Sequence, residues 1–283
     1  MRPRAGKGGG RGKSAAAIPL PVSQISSEGA ALTPSGLKEF DRVLGGGIPP
    51  AASILLSGEP GVGKSTLMLQ VAAVCPAKPA LYVTSEESAA AVAERARRIS
   101  PKTDMLILAE NDTEAIIEAS RKAKIRTLVV DSLQMLRPTT GAPPGTPAAV
   151  RDAAAWLAEF AHEGQGAAVF MVGHITKSGL IAGPKLIEHM ADIVLYFEGE
   201  GNLALRLLRA RKNRFASTDG VGVFSMEERG LVGIEDPSGI FMEESHRKLA
   251  GSAPTAALAA HSKAKTMGRC ALVPSRSPAW RSR

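Results

Sequence analysis

Through the middle of the chain, short apolar runs alternate with longer stretches of helical periodicity. The runs at 53–57, 80–84, 105–108, 128–130 and 167–172 show no polar alternation, as expected of strands covered on both faces. Helical patterns fill the intervals at 64–74, 87–99, 113–123 and 150–162. A shorter helix carrying Leu37, Phe40, Val43 and Leu44 comes first, and Gly45-Gly46-Gly47 ends it. This order predicts an α/β fold with a mostly parallel central sheet and helices on both faces. After Asp192 the pattern changes. Runs at 193–197, 203–210, 221–226 and 231–234 are strand-like and separated by turn residues such as Asp219-Gly220 and Arg229-Gly230. They predict antiparallel strands extending one edge of the sheet at its carboxy-terminal end.

Composition sets limits on this picture. The apolar runs fall far short of the roughly 20 residues that a membrane-crossing helix needs, and residues 1–14 lack the apolar stretch of a secretory signal. A cytoplasmic protein with no membrane partner is the expectation. Cys75 and Cys270 lie far apart and outside any C-x-x-C pair, so they define neither a zinc site nor a disulfide framework. The formal charge of +8 resides at the ends: residues 1–14 hold five Lys/Arg and 245–283 hold eight, with no acid in either segment. Residues 15–244 keep 22 Lys/Arg against 27 Asp/Glu, a net of −5. Bulk charge therefore says nothing for a DNA-binding core, although basic tails of this kind attract polyanions weakly. Three segments are expected: a disordered basic arm at 1–30, a folded domain at 31–244, and a low-complexity basic tail at 245–283.

One motif carries specific chemistry. Gly58-Glu59-Pro60-Gly61-Val62-Gly63-Lys64-Ser65 fits G-x-x-x-x-G-K-[ST], with an apolar strand before it and a helix after it. Its glycines let the backbone wrap phosphates and present successive N–H groups at the positive end of a helix. Lys64 is expected at the β- and γ-phosphates of ATP, Ser65 on Mg²⁺, and Thr66 at a further phosphate contact. The run 128–130 ends in Asp131, 67 residues beyond Lys64, which suits a carboxylate facing Mg²⁺. Glu86 follows the strand at 80–84 directly and is the candidate base for the attacking water; a plain helix-start acid is its alternative. His174 ends another strand at the same expected edge and is a candidate γ-phosphate sensor.

These residues resemble the RadA/Sms branch of RecA-like ATPases. The resemblance runs through Gly45-Gly46-Gly47, the P-loop, Tyr82-Val83-Thr84-Ser85-Glu86-Glu87-Ser88, Val130-Asp131-Ser132 and Val172-Gly173-His174-Ile175-Thr176-Lys177. Further on, Lys212-Asn213-Arg214-Phe215 nearly reproduces the branch's K-N-R-F-G signature, with Ala216 in place of its glycine. The match covers about 35–244 and implies a RecA-like ATPase domain there. It implies a homo-oligomeric, hexameric ring that hydrolyses ATP with Mg²⁺, engages single-stranded or branched DNA and works with a RecA-type recombinase. Glu86 then matches the catalytic carboxylate, and Lys212 and Arg214 match residues that act on a neighbouring subunit's nucleotide. The expected DNA contacts are Arg137 and Arg151, at the ends of a Pro/Gly/Thr-rich loop, and Lys177 and Lys185 in a second loop. The branch's zinc module and protease-like domain have no counterpart here, and Ala216 would strain a turn if its φ had to be positive. An ATP-binding scaffold with little turnover, or a clock-protein or replicative-helicase relative, are the alternatives.

Overall fold

Strand and helix alternate along the described chain as α1 (Lys38–Leu44), β1 (Ser53–Gly58), α2 (Lys64–Val74), β2 (Ala80–Thr84), α3 (Ala89–Ile99), β3 (Leu106–Ala109), α4 (Thr113–Lys122) and β4 (Thr127–Asp131). They continue as α5 (Pro147–His162), β5 (Ala168–His174), α6 (Gly183–Met190), β6 (Ile193–Gly199), β7 (Leu205–Asn213), β8 (Val221–Glu227) and β9 (Gly230–Gly233). The computed structural model describes residues 31–163, 167–174, 183–199 and 205–235, together with Pro21. The terminal segments expected as arm and tail lie outside the described residues.

All nine strands join one sheet in the order β3-β2-β4-β5-β1-β6-β7-β8-β9. Pairing is parallel from β3 through β6 and antiparallel from β6 through β9. Successive residues alternate between two cores, as the pleat requires. Ile54 and Leu56 of β1, Tyr82 of β2, Val129 of β4 and Phe170 of β5 pack on the side of α1, α2 and α3. Leu55, Leu81, Leu128, Val130 and Met171 pack on the other side with α4 and α5. Both faces are covered, which is why these strands read as unbroken apolar runs.

Several boundaries differ from the sequence expectation for identifiable reasons. Helix α5 begins at Pro147, ahead of its apolar stripe. The Thr146 hydroxyl caps it by accepting the Ala149 N–H at 3.2 Å, and proline is tolerated in a first turn. Helix α3 begins at Ala89 because Ser88 is its cap, accepting the Ala91 N–H at 3.3 Å, so Glu87 stays outside. Helix α6 has no counterpart among the sequence-predicted elements, and it takes in Lys185, which the sequence places in a loop. A helix of only eight residues, Gly-Pro included, gives too short a periodic signal to separate from the loop before it.

At Ala216 the condition for strain in the turn is not met. Among non-glycine described residues only Ala51 and Lys124 have positive φ, so Ala216 carries no such strain. Its methyl group is accommodated by Gly45, the left-handed cap of α1 at φ 90°, where an added Cβ would overlap the Ala216 Cβ. Gly45→Ala therefore combines an unfavourable φ with a clash. It should lower the urea unfolding free energy by about 2 kcal/mol, and adding Ala216→Gly should recover part of that loss.

Candidate active site

In the parallel part of the sheet every strand ends at one edge, and the candidate residues follow those ends. Gly58 closes β1 and pairs in register with His174 at the end of β5. Asp131 closes β4 and pairs with Thr84 at the end of β2, directly before Ser85 and Glu86. The structure thus brings Gly58–Thr66, Glu86, Asp131 and the His174 backbone to one edge. The His174 side chain lies outside the described residues.

The loop at 58–63 is shaped by close approaches. A Cβ on Gly58 would collide with the Phe197 carbonyl of β6, and one on Gly63 would stand 2.7 Å from the Met226 side chain. Gly61 and Gly63 have φ of 78° and 110°. Arg206 of β7 adds a tether, its Nε donating to the Val62 carbonyl at 3.1 Å. Helix α2 then starts at Lys64 with no side-chain cap, so its first N–H groups face the loop. The Lys64 ammonium is buried and donates to the carbonyls of Gly58 and Glu59, both at 2.8 Å. Burial pushes it below the ordinary lysine value, and the Asp131 carboxylate opposes that shift. Uncapped helix donors and a buried cation fit a polyphosphate, and Ser65 and Thr66 stand half-buried in the same first turn. A nucleotide's phosphates would be held by these N–H groups and Lys64, with Mg²⁺ held by Ser65 and Asp131.

On the acidic side, hydroxyl groups fix the carboxylates. Tyr82 donates to Asp131 Oδ2 at 2.5 Å, and the Ser132 hydroxyl donates to Glu86 Oε1 at 2.5 Å. The Ser85 N–H donates to the Asp131 carbonyl at 2.9 Å. Ser85 Oγ donates to the Ser132 carbonyl and accepts its N–H, both at 2.9 Å. The Asp131–Ser132 peptide is cis. Glu87 instead pairs with Arg95 of α3 at 2.8 Å.

Lys212 and Arg214 lie elsewhere. Asn213 is level with Ile193 and Ile54, so Lys212 and Arg214 sit at the opposite end of the sheet. That is about 13 Å of strand from Gly58. Lys212 Nζ donates to the carbonyls of Glu188, His189 and Ala191 at 3.1, 3.1 and 2.6 Å, closing the end of α6. Arg214 Nη1 meets Asp192 Oδ1 at 3.0 Å. Arg137 is exposed, with its backbone pinned by Asn111 and Thr113. Arg151 pairs with Asp152 at 2.7 Å, and Thr140 bonds the same carboxylate at 2.9 Å. Lys177 lies outside the described residues, as does the Lys185 side chain.

Sequence reasoning missed Tyr82, Ser132 and Asp192 as individual participants. A tyrosine inside a buried apolar strand is a legible signal, since its hydroxyl needs a partner. Asp192, between buried Ala191 and Ile193, is another. Its Oδ2 accepts the Ser53 N–H at 2.9 Å, the Ser53 hydroxyl at 2.7 Å and His162 Nε2 at 2.8 Å.

The fold and this edge define a RecA-like P-loop ATPase core. The family described as "ATPase: KaiC" matches residues 33–111, the segment from α1 through β3. A DNA repair protein RadA of Pseudomonas aeruginosa is 43% identical over 250 residues, covering 87% of this chain and 54% of that protein. DNA repair proteins RadA of Halalkalibacterium halodurans and Bacillus subtilis are each 42% identical, over 86% and 85% of this chain and 54% and 53% of theirs. The chain carries a RecA-like core of the RadA/Sms family. It spans about half the length of these relatives.

Burial alone would raise the Asp192 carboxyl, but the hydrogen bonds from Ser53 and His162 outweigh it and hold the group below its ordinary value. A depressed carboxylate pKa stabilises the fold fully above the unfolded value of about 3.9 and loses that contribution as pH falls through the folded value. Asp192→Asn should therefore cost about 2–3 kcal/mol at pH 7. In urea unfolding the gap between parent and variant should stay constant above about pH 5 and shrink below pH 4.

Proposed function

We propose that the chain binds ATP with Mg²⁺ and hydrolyses it as the motor core of a DNA recombination and repair protein. The carrying observation is the gathering of Lys64, Asp131 and Glu86 at one sheet edge by β1, β4 and β2. The RadA relatives direct the same reading toward DNA repair. In this reading the loop N–H groups and Lys64 hold the β- and γ-phosphates, Ser65 and Asp131 hold Mg²⁺, and Glu86 orients the attacking water. Mg²⁺ supplies neutralisation of charge on the transferring phosphoryl group. His174 senses the γ-phosphate from the end of β5.

Single-stranded or branched DNA is the proposed polymer partner and a RecA-type recombinase the proposed protein partner. Arg137, Arg151, Lys177 and Lys185 are the proposed phosphate contacts on DNA. A homo-oligomeric, hexameric ring would place Lys212 and Arg214 beside a neighbouring subunit's nucleotide. Their distance from Lys64 within one chain is compatible with action in trans. The proposed organisation keeps 31–244 as the ATPase domain, with a basic arm at 1–30 and a basic tail at 245–283. Among the described residues no helix is long and apolar enough to cross a membrane, and a cytoplasmic location accompanies the proposal.

The test is ATP turnover by the full chain with and without single-stranded DNA at two salt concentrations. DNA stimulation that weakens with salt is the expected result. Lys64→Ala should abolish turnover. Glu86→Gln should retain nucleotide binding while turnover falls about 10²-fold or more. Normal turnover in either variant would remove that residue from the site, and tight ATP binding without any turnover in the parent would favour a scaffold.

A further inference from the structure

Tyr82 occupies the middle of β2 among Leu81 and Val83 and is 1% exposed, yet it carries the only hydroxyl on the interior positions 81–83 of that strand. It is level with Val129 of β4. Sheet parity puts Tyr82, Val129 and Asp131 on the same face, the one covered by α2. The ring therefore reaches along β4 to its end, where the phenol donates to Asp131 Oδ2 at 2.5 Å.

The opposite side of Asp131 has a competing attraction. The buried Lys64 ammonium feels the Asp131 charge but bonds to the carbonyls of Gly58 and Glu59. A carboxylate free to rotate near a buried cation gains by pairing with it, because Coulombic attraction strengthens as the surroundings lose water. Such a pair would neutralise the two groups that a metal and a phosphate each require. Arg95, the other nearby cation, is engaged by Glu87 at 2.8 Å.

We infer that Tyr82 is a positioning residue whose hydroxyl holds Asp131 on the cation-binding side of the site and away from Lys64. The lysine is thereby kept for phosphate and the carboxylate for Mg²⁺. This inference rests on the nucleotide-binding reading above and adds a residue that the P-loop motif does not contain.

The test uses the full chain and a fluorescent ATP analogue, with affinity measured both in EDTA and across a Mg²⁺ titration. The panel is the parent, Tyr82→Phe, Asp131→Asn, the combination of the two, and Lys64→Ala. Tyr82→Phe keeps the ring in the core, and circular dichroism checks that it folds. It should raise the Mg²⁺ concentration needed for half-maximal tightening about tenfold. It should also weaken metal-free nucleotide binding about three- to tenfold, as Asp131 turns onto Lys64. Adding Asp131→Asn should return metal-free binding to the level of Asp131→Asn alone, a rescue that simple loss of packing cannot give. Parent-like binding by Tyr82→Phe in both conditions, or no rescue in the combined variant, would overturn the inference while leaving the site reading intact. Nucleotide binding by Lys64→Ala as tight as the parent's would instead remove the site reading, and the inference with it.

Discussion

Parallel pairing of β2, β4, β5 and β1 is the constraint on which everything else in this chain depends. Four neighbouring strands running in one direction must all release their chains at the same edge, and the residues that follow them converge there whatever their separation in sequence. The pleat adds a second restriction. Tyr82, Val129 and Asp131 share the face of α2, so the Asp131 carboxylate emerges on the side where Lys64 begins its helix. A one-residue slip between β2 and β4 would send Asp131 to the α5 side and part it from both Tyr82 and Lys64. Burial of both faces makes such a slip costly, because it would exchange every side chain between two filled cores.

The antiparallel strands complete this edge. The Phe197 carbonyl of β6 lies where a side chain on Gly58 would go, Met226 of β8 closes on Gly63, and Arg206 of β7 holds the Val62 carbonyl. The loop at 58–63 therefore rests on a floor supplied by residues more than a hundred positions later. The far edge of this extension is also secured from within. Gln70 of α2 exchanges two hydrogen bonds with the Leu231 backbone, at 2.8 and 2.9 Å, so a side-chain amide takes the place of a neighbouring strand along β9. The helix that opens at Lys64 thus also steadies the last strand of the sheet.

At the opposite end of β1 a second polar cluster fixes where the strand begins. Ser53 and Asp192 exchange backbone and side-chain hydrogen bonds, and His162 and Arg214 close on the same carboxylate. Lys212 seals the carbonyls at the end of α6 a few residues away, and burial followed by the charge of Arg214 holds its ammonium below the ordinary lysine value. Strand β1 is therefore pinned at its start by ionic hydrogen bonds and at its end by the loop's contacts with β6 to β8. Arg214 is half exposed while so engaged, and any contact it makes with another molecule must compete with Asp192.

The sequence by itself determined the fold class, the helix at 64–74, the strand at 80–84, the antiparallel strands at the carboxy-terminal end, and the P-loop motif. These are properties of local periodicity and of a motif whose glycines serve a backbone shape, so they can be read without knowing what lies across the sheet. The starts of α3 at Ala89 and α5 at Pro147 were decided by the caps Ser88 and Thr146, and the room for the Ala216 methyl group by a facing glycine, none of which periodicity registers. Tertiary structure alone decided that Tyr82 bonds Asp131, that Ser132 holds Glu86, and that Lys212 and Arg214 stand at the far end of the sheet from Lys64. The reason is physical: strand order sets which residues become neighbours, and hydrogen bonds between side chains from separate strands leave no periodic trace in the chain that makes them.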